Sequence, residues 1–398
     1  MTKFNVVREI RELKNQLSYS KRFGFFFGAG TSCALGVPNI AALTVSVENS
    51  LDKATKLDFI KVKDDLSSTN PEKDINIEDI LNQVRQIRSI TGERGDKKYL
   101  GISGKSAIYL DNDICKKIYS IIDKSEAVAD LSNTKKFLAW LNMQNKDFTK
   151  ELFTTNYDLI IEKSLEEIRA PYFDGFVGSY EPFFWQESIE QFVEKSDLTH
   201  NWIRLWKIHG SLNWFWKENG STASHSIVRG SKISDIENIN NELVIYPSKE
   251  KYDPSKKQPF VAYFDRLKNT LLNGELFFVF SGYSFSDQHI NEIIFNSLRQ
   301  NNRLFIAVFF FNDEEVERLY AESSSYLNLT AFGPTKAIVN GTLADWEYNS
   351  DDLKSNERSD TYWDSKENKL LLGDFNKLAD FVITNSGRKE QIEVIANG

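Results

Sequence analysis

The chain has only two cysteines and four histidines in 398 residues. Cys33 and Cys115 stand far apart, and no C-x-x-C pair exists, so a cysteine-rich structural zinc site is excluded. Two well-separated thiols read as reduced and intracellular. Basic residues are in deficit: 49 Lys and Arg face 57 Asp and Glu, a formal net charge of −8. That balance argues against a general grip on nucleic-acid phosphates, and no direct nucleic-acid binding is expected. No apolar run approaches the roughly 20 residues that span a bilayer. The opening MTKFNVVREIRELKNQ has charges inside its apolar pattern, unlike a signal peptide. The expectation is a soluble, cytoplasmic chain with no membrane partner.

What is present suits a large core, with 41% hydrophobic, 13% aromatic and 27% charged residues. Val6, Ile10, Leu13 and Leu17 recur at helical spacing, so an amphipathic helix opens the chain. The apolar burst at 24–27 reads as a buried strand ended by glycine. From about 40 to 150 the character is helical, with Ile77, Ile80, Leu81, Val84 and Ile87 on one face, and 92–106 reads as an exposed loop. Strand-like bursts return at 151–158, 204–216, 242–247, 275–284 and 303–311, with helices at 157–168, 257–273 and 287–300 between several of them. Apolar runs without alternation, separated by helices, predict a parallel sheet covered on both faces. The fold class expected is α/β, a Rossmann-like doubly wound sheet. Its main domain is 1–311, with a helical insertion at about 40–150. The signal weakens in 312–398, which carries a late helix near 372–383 and reads as a small C-terminal α/β extension for oligomer or partner contacts.

Ligands of such sheets bind beyond the carboxyl ends of the strands. Four strand ends here carry unusual residues: Gly28-Ala29-Gly30-Thr31-Ser32, Thr154-Thr155-Asn156-Tyr157-Asp158, His209-Gly210-Ser211 and Ser281-Gly282-Tyr283-Ser284. Glycine lets backbone amides approach a phosphate, and a helix N-terminus favours negative charge. The first block alone is also consistent with a tight strand-to-helix turn that binds nothing. A dinucleotide fingerprint would need a third glycine where Cys33 stands. Asn156 or Asp158 could simply cap the following helix. His209 could be a packed histidine, but it ends an apolar strand and precedes Gly-Ser, a setting that suits a general base in a ligand crevice.

Together the four blocks resemble the sirtuin family, and specifically its bacterial NAD-hydrolysing antiphage branch. GAGTSCALGVP at 28–38 is similar to the family's GAGxSxxxGIP, TTNYD at 154–158 to TQNID, KIHGS at 207–211 to the catalytic HG, and SGYSFSD at 281–287 to the ribose-contacting block. The resemblance covers about residues 20–310. It implies that Gly28, Ala29, Gly30, Thr31 and Ser32 form an NAD-binding loop, with Ala29, Gly30 and Ser32 at the pyrophosphate. It implies that Asn156 orders a water or hydroxyl beside the nicotinamide ribose, that Asp158 meets the carboxamide, and that His209 is the general base. Gly282, Tyr283 and Ser284 would line the adenosine ribose. Asn156 and His209 are the implied catalytic pair, with NAD as substrate and no metal.

Several departures separate the chain from deacylating sirtuins. It cannot build their four-cysteine zinc module, Thr155 replaces their Gln, and PNIA at 38–41 replaces their PDFR. The resemblance therefore implies an NAD+ glycohydrolase, a gated NAD-depleting effector of antiphage defence. It is similar to stand-alone sirtuin-like subunits that assemble as homo-oligomers with a HerA-like ATPase. An NAD-dependent protein deacylase and a catalytically silent NAD- or ADP-ribose-binding subunit stay open as alternatives.

Overall fold

The structure is a computed structural model, and it describes residues 3–144, 147–190, 197–218, 225–230, 243–245, 258–355 and 357–397. Of the strand expected at 242–247, only 243–245 falls within these residues. The fold grows outward from the strand β2 (Phe23–Phe27), whose five residues are all buried. Phe25 and Phe27 face one layer and Phe26 the other, as strand alternation requires. Burying each ring stabilises the fold by about 2–3 kcal/mol. Gly24 breaks the phenylalanine run because a Cβ there would stand 2.4 Å from the ring of Phe278.

Around β2 lie β1 (Lys3–Asn5), β3 (Lys150–Thr154), β4 (Tyr172–Phe173), β5 (Phe176–Val177), β6 (Phe183–Phe184), β7 (Ile203–Lys207), β8 (Gly210–Glu218), β9 (His225–Arg229) and β10 (Leu243–Ile245). These are followed by β11 (Leu276–Ser281), β12 (Leu304–Phe309), β13 (Leu329–Phe332), β14 (Lys336–Val339) and β15 (Thr342–Glu347). The main sheet has the order β1-β15-β14-β13-β12-β11-β2-β3-β7-β4. From β13 through β4 every neighbouring pair is parallel. The chain leaves β2 toward β3 and β7, then returns on the other side of β2 at β11. That reversal is the topological switch point at which such sheets bind ligands.

One face of the sheet is covered by α1 (Val6–Tyr19), α7 (Ser132–Asn142), α8 (Ile160–Glu167), α12 (Phe375–Asn385) and α13 (Lys389–Asn397). The other is covered by α9 (Phe260–Leu272), α10 (Gln288–Gln300) and α11 (Asp313–Ser323). The doubly wound α/β reading is therefore the fold observed.

The helical stretch divides. Helices α3 (Ile40–Ser50), α4 (Lys53–Thr69), α5 (Ile77–Thr91) and α6 (Gly104–Val128) share a second core, to which Ile160, Leu212, Phe215 and Val228 also contribute, whereas α7 belongs to the sheet. Helix α5 buries the predicted face of Ile77, Ile80, Leu81, Val84 and Ile87, starts in a capping box of Asn76 and Asp79, and ends at left-handed Gly92. The loop expected at 92–106 is shorter, because α6 already begins at Gly104.

The residues after 312 continue the main sheet. Strand β13 lies parallel to β12, β14 and β15 follow antiparallel, and β1 pairs with β15. The apolar run 204–216, expected as one burst, is two strands. Gly210 adopts φ +89° and turns the chain, so β7 stays in the main sheet while β8 enters a five-stranded sheet of order β10-β8-β9-β6-β5. Ile208 and His209 form that break, and Gly210 opens β8.

Candidate active site

The four unusual blocks follow strands whose ends are in register. Ser281 pairs with Phe27, Phe27 with Thr154, and Thr154 with Lys207. Each block therefore leaves the sheet at one level, beside its neighbours.

The glycines explain how closely the first and last blocks meet. A Cβ on Gly28 would lie 2.3 Å from the Gly282 carbonyl oxygen, and one on Gly30 would lie 2.6 Å from the Gly282 Cα. Gly282 has φ +64°, and a Cβ there would lie 2.5 Å from the Thr31 nitrogen. The loops are tied by Gly28 N donating to Ser281 O (3.0 Å) and Gly30 N to Gly282 O (2.9 Å). Side chains at these positions would force the loops apart. Ala29 and Gly30 remain exposed at the rim, while Thr31 and Ser32 are buried. The short helix α2 (Ala29–Cys33) continues the loop.

Asn156 comes from the end of β3 and reaches across to this loop. Its Nδ2 lies within hydrogen-bond range of Gly28 O (3.1 Å), Thr31 Oγ1 (3.1 Å) and Ser32 Oγ (2.8 Å). Ser32 Oγ donates to Asp158 Oδ2 at 2.6 Å, so Ser32 joins both polar residues of the second block. Asp158 Oδ1 accepts from Ile160 N at 3.2 Å in the first turn of α8. Asp158 thus bonds the first helical amide from just before the helix, where the N-cap position is Leu159, whereas Asn156 binds the neighbouring loop.

His209 is 7% exposed, and its Nε2 lies 3.1 Å from Asp287 Oδ2. The other oxygen of Asp287 caps α10 by accepting from His289 N (2.9 Å) and Ile290 N (3.3 Å). Burial pushes the Asp287 carboxyl up, but hydrogen bonding and charge attraction from His209 and the capping amides bring it below the ordinary carboxylate range. The pair has the geometry of a carboxylate that orients an imidazole.

Behind the second block sits Lys207, only 2% exposed. Its ammonium donates to the carbonyls of Tyr157 (3.3 Å) and Asp158 and to Glu162 Oε1 (2.9 Å). Three donors meet three acceptors, which holds the Asn156–Asp158 turn against the end of β7. Burial raises the Glu162 carboxyl above its usual range, with Lys207 opposing. From the helical layer, Glu78 accepts the hydroxyl of Tyr157. Burial raises its carboxyl too, with His209 exerting the largest opposing pull.

The sequence-expected residues are thus unequally placed. Gly28, Gly30, Thr31, Ser32, Asn156 and Asp158 form one hydrogen-bonded group with Gly282, and Ala29 sits exposed within the same loop. His209 is held at the neighbouring strand end. The hydroxyl of Ser284 pairs with Ser286 Oγ (2.9 Å), and its carbonyl accepts from Arg318 (2.8 Å). The Tyr283 side chain turns into the core, its ring centroid 4.7 Å from that of Phe26 and its hydroxyl 3.2 Å from Asn291 Oδ1. Asp287, Lys207, Glu162 and Glu78 were not anticipated as site residues. A lysine closing the apolar strand Ile203–Lys207 was the one available signal, because a buried charge demands a partner. Among the described residues neither cysteine forms a disulfide; Cys33 is half-buried, and buried Cys115 donates its thiol to Asp111 Oδ1 at 3.5 Å. Among the described residues no group of three or more His, Cys, Asp or Glu is disposed to hold a metal ion, and no helix is long and apolar enough to cross a membrane.

The SIR2-like domain family matches residues 150–327, less than half of the chain. That span holds Asn156, Asp158, His209, Gly282 and Asp287 but not the Gly28–Ser32 loop, which the fold brings to it. Among solved structures, a Sir2 with a deacetylated p53 peptide and 3'-O-acetyl ADP-ribose overlaps at 11% identity, covering 77% of this chain and 89% of that one with a TM-score of 0.35. A second Sir2 structure, concerned with the mechanism and regulation of Sir2 enzymes, overlaps at 13% identity, covering 75% and 85% respectively, also with a TM-score of 0.35. No curated protein matches the chain.

Proposed function

We propose that this chain hydrolyses NAD+ at the bond between nicotinamide and ribose, giving nicotinamide and ADP-ribose. The observation that carries the reading is the convergence of Asn156, bound to the Gly28–Ser32 loop, with His209, oriented by Asp287, at the switch point of the sheet. The SIR2-like match over this region supports NAD-dependent activity in general.

Nicotinamide leaves readily because departure neutralises its pyridinium charge. The site must then place a water and tolerate positive charge on the ribose. Asn156 would order the water and His209 accept its proton, a role that contributes roughly 10²–10⁴-fold. Asp158 and Asp287 give the crevice the negative charge that suits an oxocarbenium-like transition state. Ala29 and Gly30, exposed at the rim, would meet the pyrophosphate, and the Gly282–Ser284 segment the adenosine end. The physiological form of this reading comes from the sequence resemblance. It is an NAD-depleting effector of antiphage defence, cytoplasmic and homo-oligomeric, restrained or triggered through a HerA-like ATPase partner.

The test is nicotinamide release from NAD+ by the purified chain, alone and with that ATPase. Release without acylated peptide, abolished in folded Asn156→Ala and His209→Ala variants, is the expected result. Release that requires an acyl-lysine peptide would make the chain a deacylase. Saturable NAD+ binding without release under any condition would make it a binding subunit. Either outcome overturns the proposal.

A further inference from the structure

Glu78 belongs to the helical layer, yet it faces the strand ends. It occupies the first turn of α5, whose Ile77, Ile80 and Leu81 pack in one cluster with Tyr157 and with Leu212, three residues beyond His209. Tyr157 donates its hydroxyl to Glu78 and its carbonyl accepts from Leu212 N at 3.0 Å. Tyr157 therefore clamps the carboxylate of Glu78 to the chain that carries His209. Asp287 holds Nε2 of the same imidazole at 3.1 Å. The segment that carries His209 is thus tied on one side to Glu78 of the helical layer, through Tyr157 and Leu212, while Asp287 at the cap of α10 holds the imidazole on the other. The charged and titratable groups bearing on Glu78 are His209, Tyr157, Asp79 and Asp287. Of these only His209 can offer it a positive charge.

On the reading of the site as an NAD+ hydrolase, we infer that Glu78 is a positioning residue for His209, supplied by the helical layer and anchored by Tyr157, which stabilises the imidazolium formed during the reaction. The C1′–N1 bond breaks and leaves its electron pair on the nicotinamide nitrogen. The water oxygen bonds to C1′, and the proton it loses passes to His209 before release to solvent. The cation created in that step faces Glu78 and Asp287, and two carboxylates make its formation easier than one. Glu78 touches neither substrate nor water in this scheme, and it acts through the histidine.

The decisive variant is Glu78→Gln, which keeps the shape and can still accept from Tyr157. One ionic contact corresponding to a unit of basicity is worth about tenfold, so kcat should fall by about 10- to 100-fold with KM within about threefold. The acidic limb of the rate–pH profile should move to lower pH, a shift that lost packing alone would not produce. Glu78→Asp should recover part of kcat, and thermal midpoints should stay close to that of the parent. An independent arm follows the Glu78 carboxyl by ¹³C NMR. Its titration midpoint should rise in His209→Ala, because the cation that opposes burial is gone. A Glu78→Gln enzyme within threefold of the parent kcat with an unmoved acidic limb overturns the inference, as does a Glu78 titration indifferent to His209→Ala. If the parent chain releases no nicotinamide, the hydrolase reading fails, and the NMR arm alone decides whether Glu78 and His209 are coupled.

Discussion

Lys207→Met isolates what holds the Asn156–Asp158 turn in place. The native ammonium is 2% exposed and satisfies two carbonyls and one carboxylate, with 3.3 Å to Tyr157 O and 2.9 Å to Glu162 Oε1. Methionine fills similar volume but strands Glu162, itself 8% exposed, as a buried acid without its cation. Removing one partner of a buried pair costs about 3–5 kcal/mol. Replacing both, in Lys207→Met with Glu162→Met, removes the uncompensated charge. What remains is the Asp158 carbonyl without its Lys207 donor, since Tyr157 O still accepts from Leu212 N at 3.0 Å, a cost of about 1–3 kcal/mol. The double variant should therefore be more stable than the single one, by urea denaturation at pH 7.5. The pH dependence has a defined sign. Burial already raises the Glu162 carboxyl, and without Lys207 it rises further, so the acid is neutral and cheap to bury at low pH. The deficit of the single variant should be small near pH 5 and grow as pH rises through the folded-state value, whereas that of the double variant should not. Nicotinamide release should be lost in both, since both release the Asp158 carbonyl. A single variant less than about 1 kcal/mol below the parent, or a double variant no better than the single, would refute the ion-pair argument.

Asp287→Asn keeps a good helix cap, so stability should hold within about 1 kcal/mol. It removes the charge at His209, and kcat should drop at least about tenfold, read by nicotinamide release across pH. Gly282→Ala puts a side chain at φ +64° and 2.5 Å from the Thr31 nitrogen. The left-handed backbone alone costs about 1–2 kcal/mol, so thermal stability should fall and the Gly28–Ser32 loop should be displaced, with loss of release. Tyr283→Phe keeps the ring in its aromatic cluster and loses the hydroxyl's bonds to Asn291 Oδ1 (3.2 Å) and Asp287 O (3.5 Å). Stability should change by about 1 kcal/mol and the KM for NAD+ should not, whereas a large KM change would place the side chain at the ligand.

The sheet was legible because its strands are continuous apolar runs. In Phe23–Phe27, Leu276–Ser281 and Leu304–Phe309 nearly every residue is buried, so both faces must be covered and periodicity is not needed to find them. The C-terminal strands were not legible for the opposite reason. Strand β15 alternates buried and exposed residues over Thr342–Glu347 and sits near the edge of the sheet, against the three-residue β1. Its hairpin with β14 turns at Asn340-Gly341, a local signal, but its pairing with β1 joins segments more than 300 residues apart, which no local pattern encodes. The division of 204–216 was hidden as well, since Trp206 and Trp214 are equally buried although they belong to different sheets. Only Gly210 marks the turn between them.

The site divides along a similar line. Residues whose chemistry lies in the backbone or in short polar blocks could be read: the glycines, the Asn156 and Asp158 turn, and His209 at a strand end. The residues that orient them could not, because each acts through a partner distant in sequence. Asp287 reads locally as a cap for α10, and it is one. Its second oxygen meets His209, 78 positions away. Glu78 reads as a favourable acid in the first turn of α5, and Tyr157 is what turns that acid toward the sheet. The same holds for the glycines that follow the phenylalanines of β2. Taken alone they are equally consistent with a turn that binds nothing. Their need appears only with Gly282, which presses against Gly28 and Gly30 so closely that none of the three tolerates a Cβ. That contact brings the ends of β2 and β11 together across the switch point, with Asn156 bonded to the loop from the end of β3. The glycines therefore act first on the protein itself: they set the spacing of the strand-end loops between which Asn156 and His209 are held.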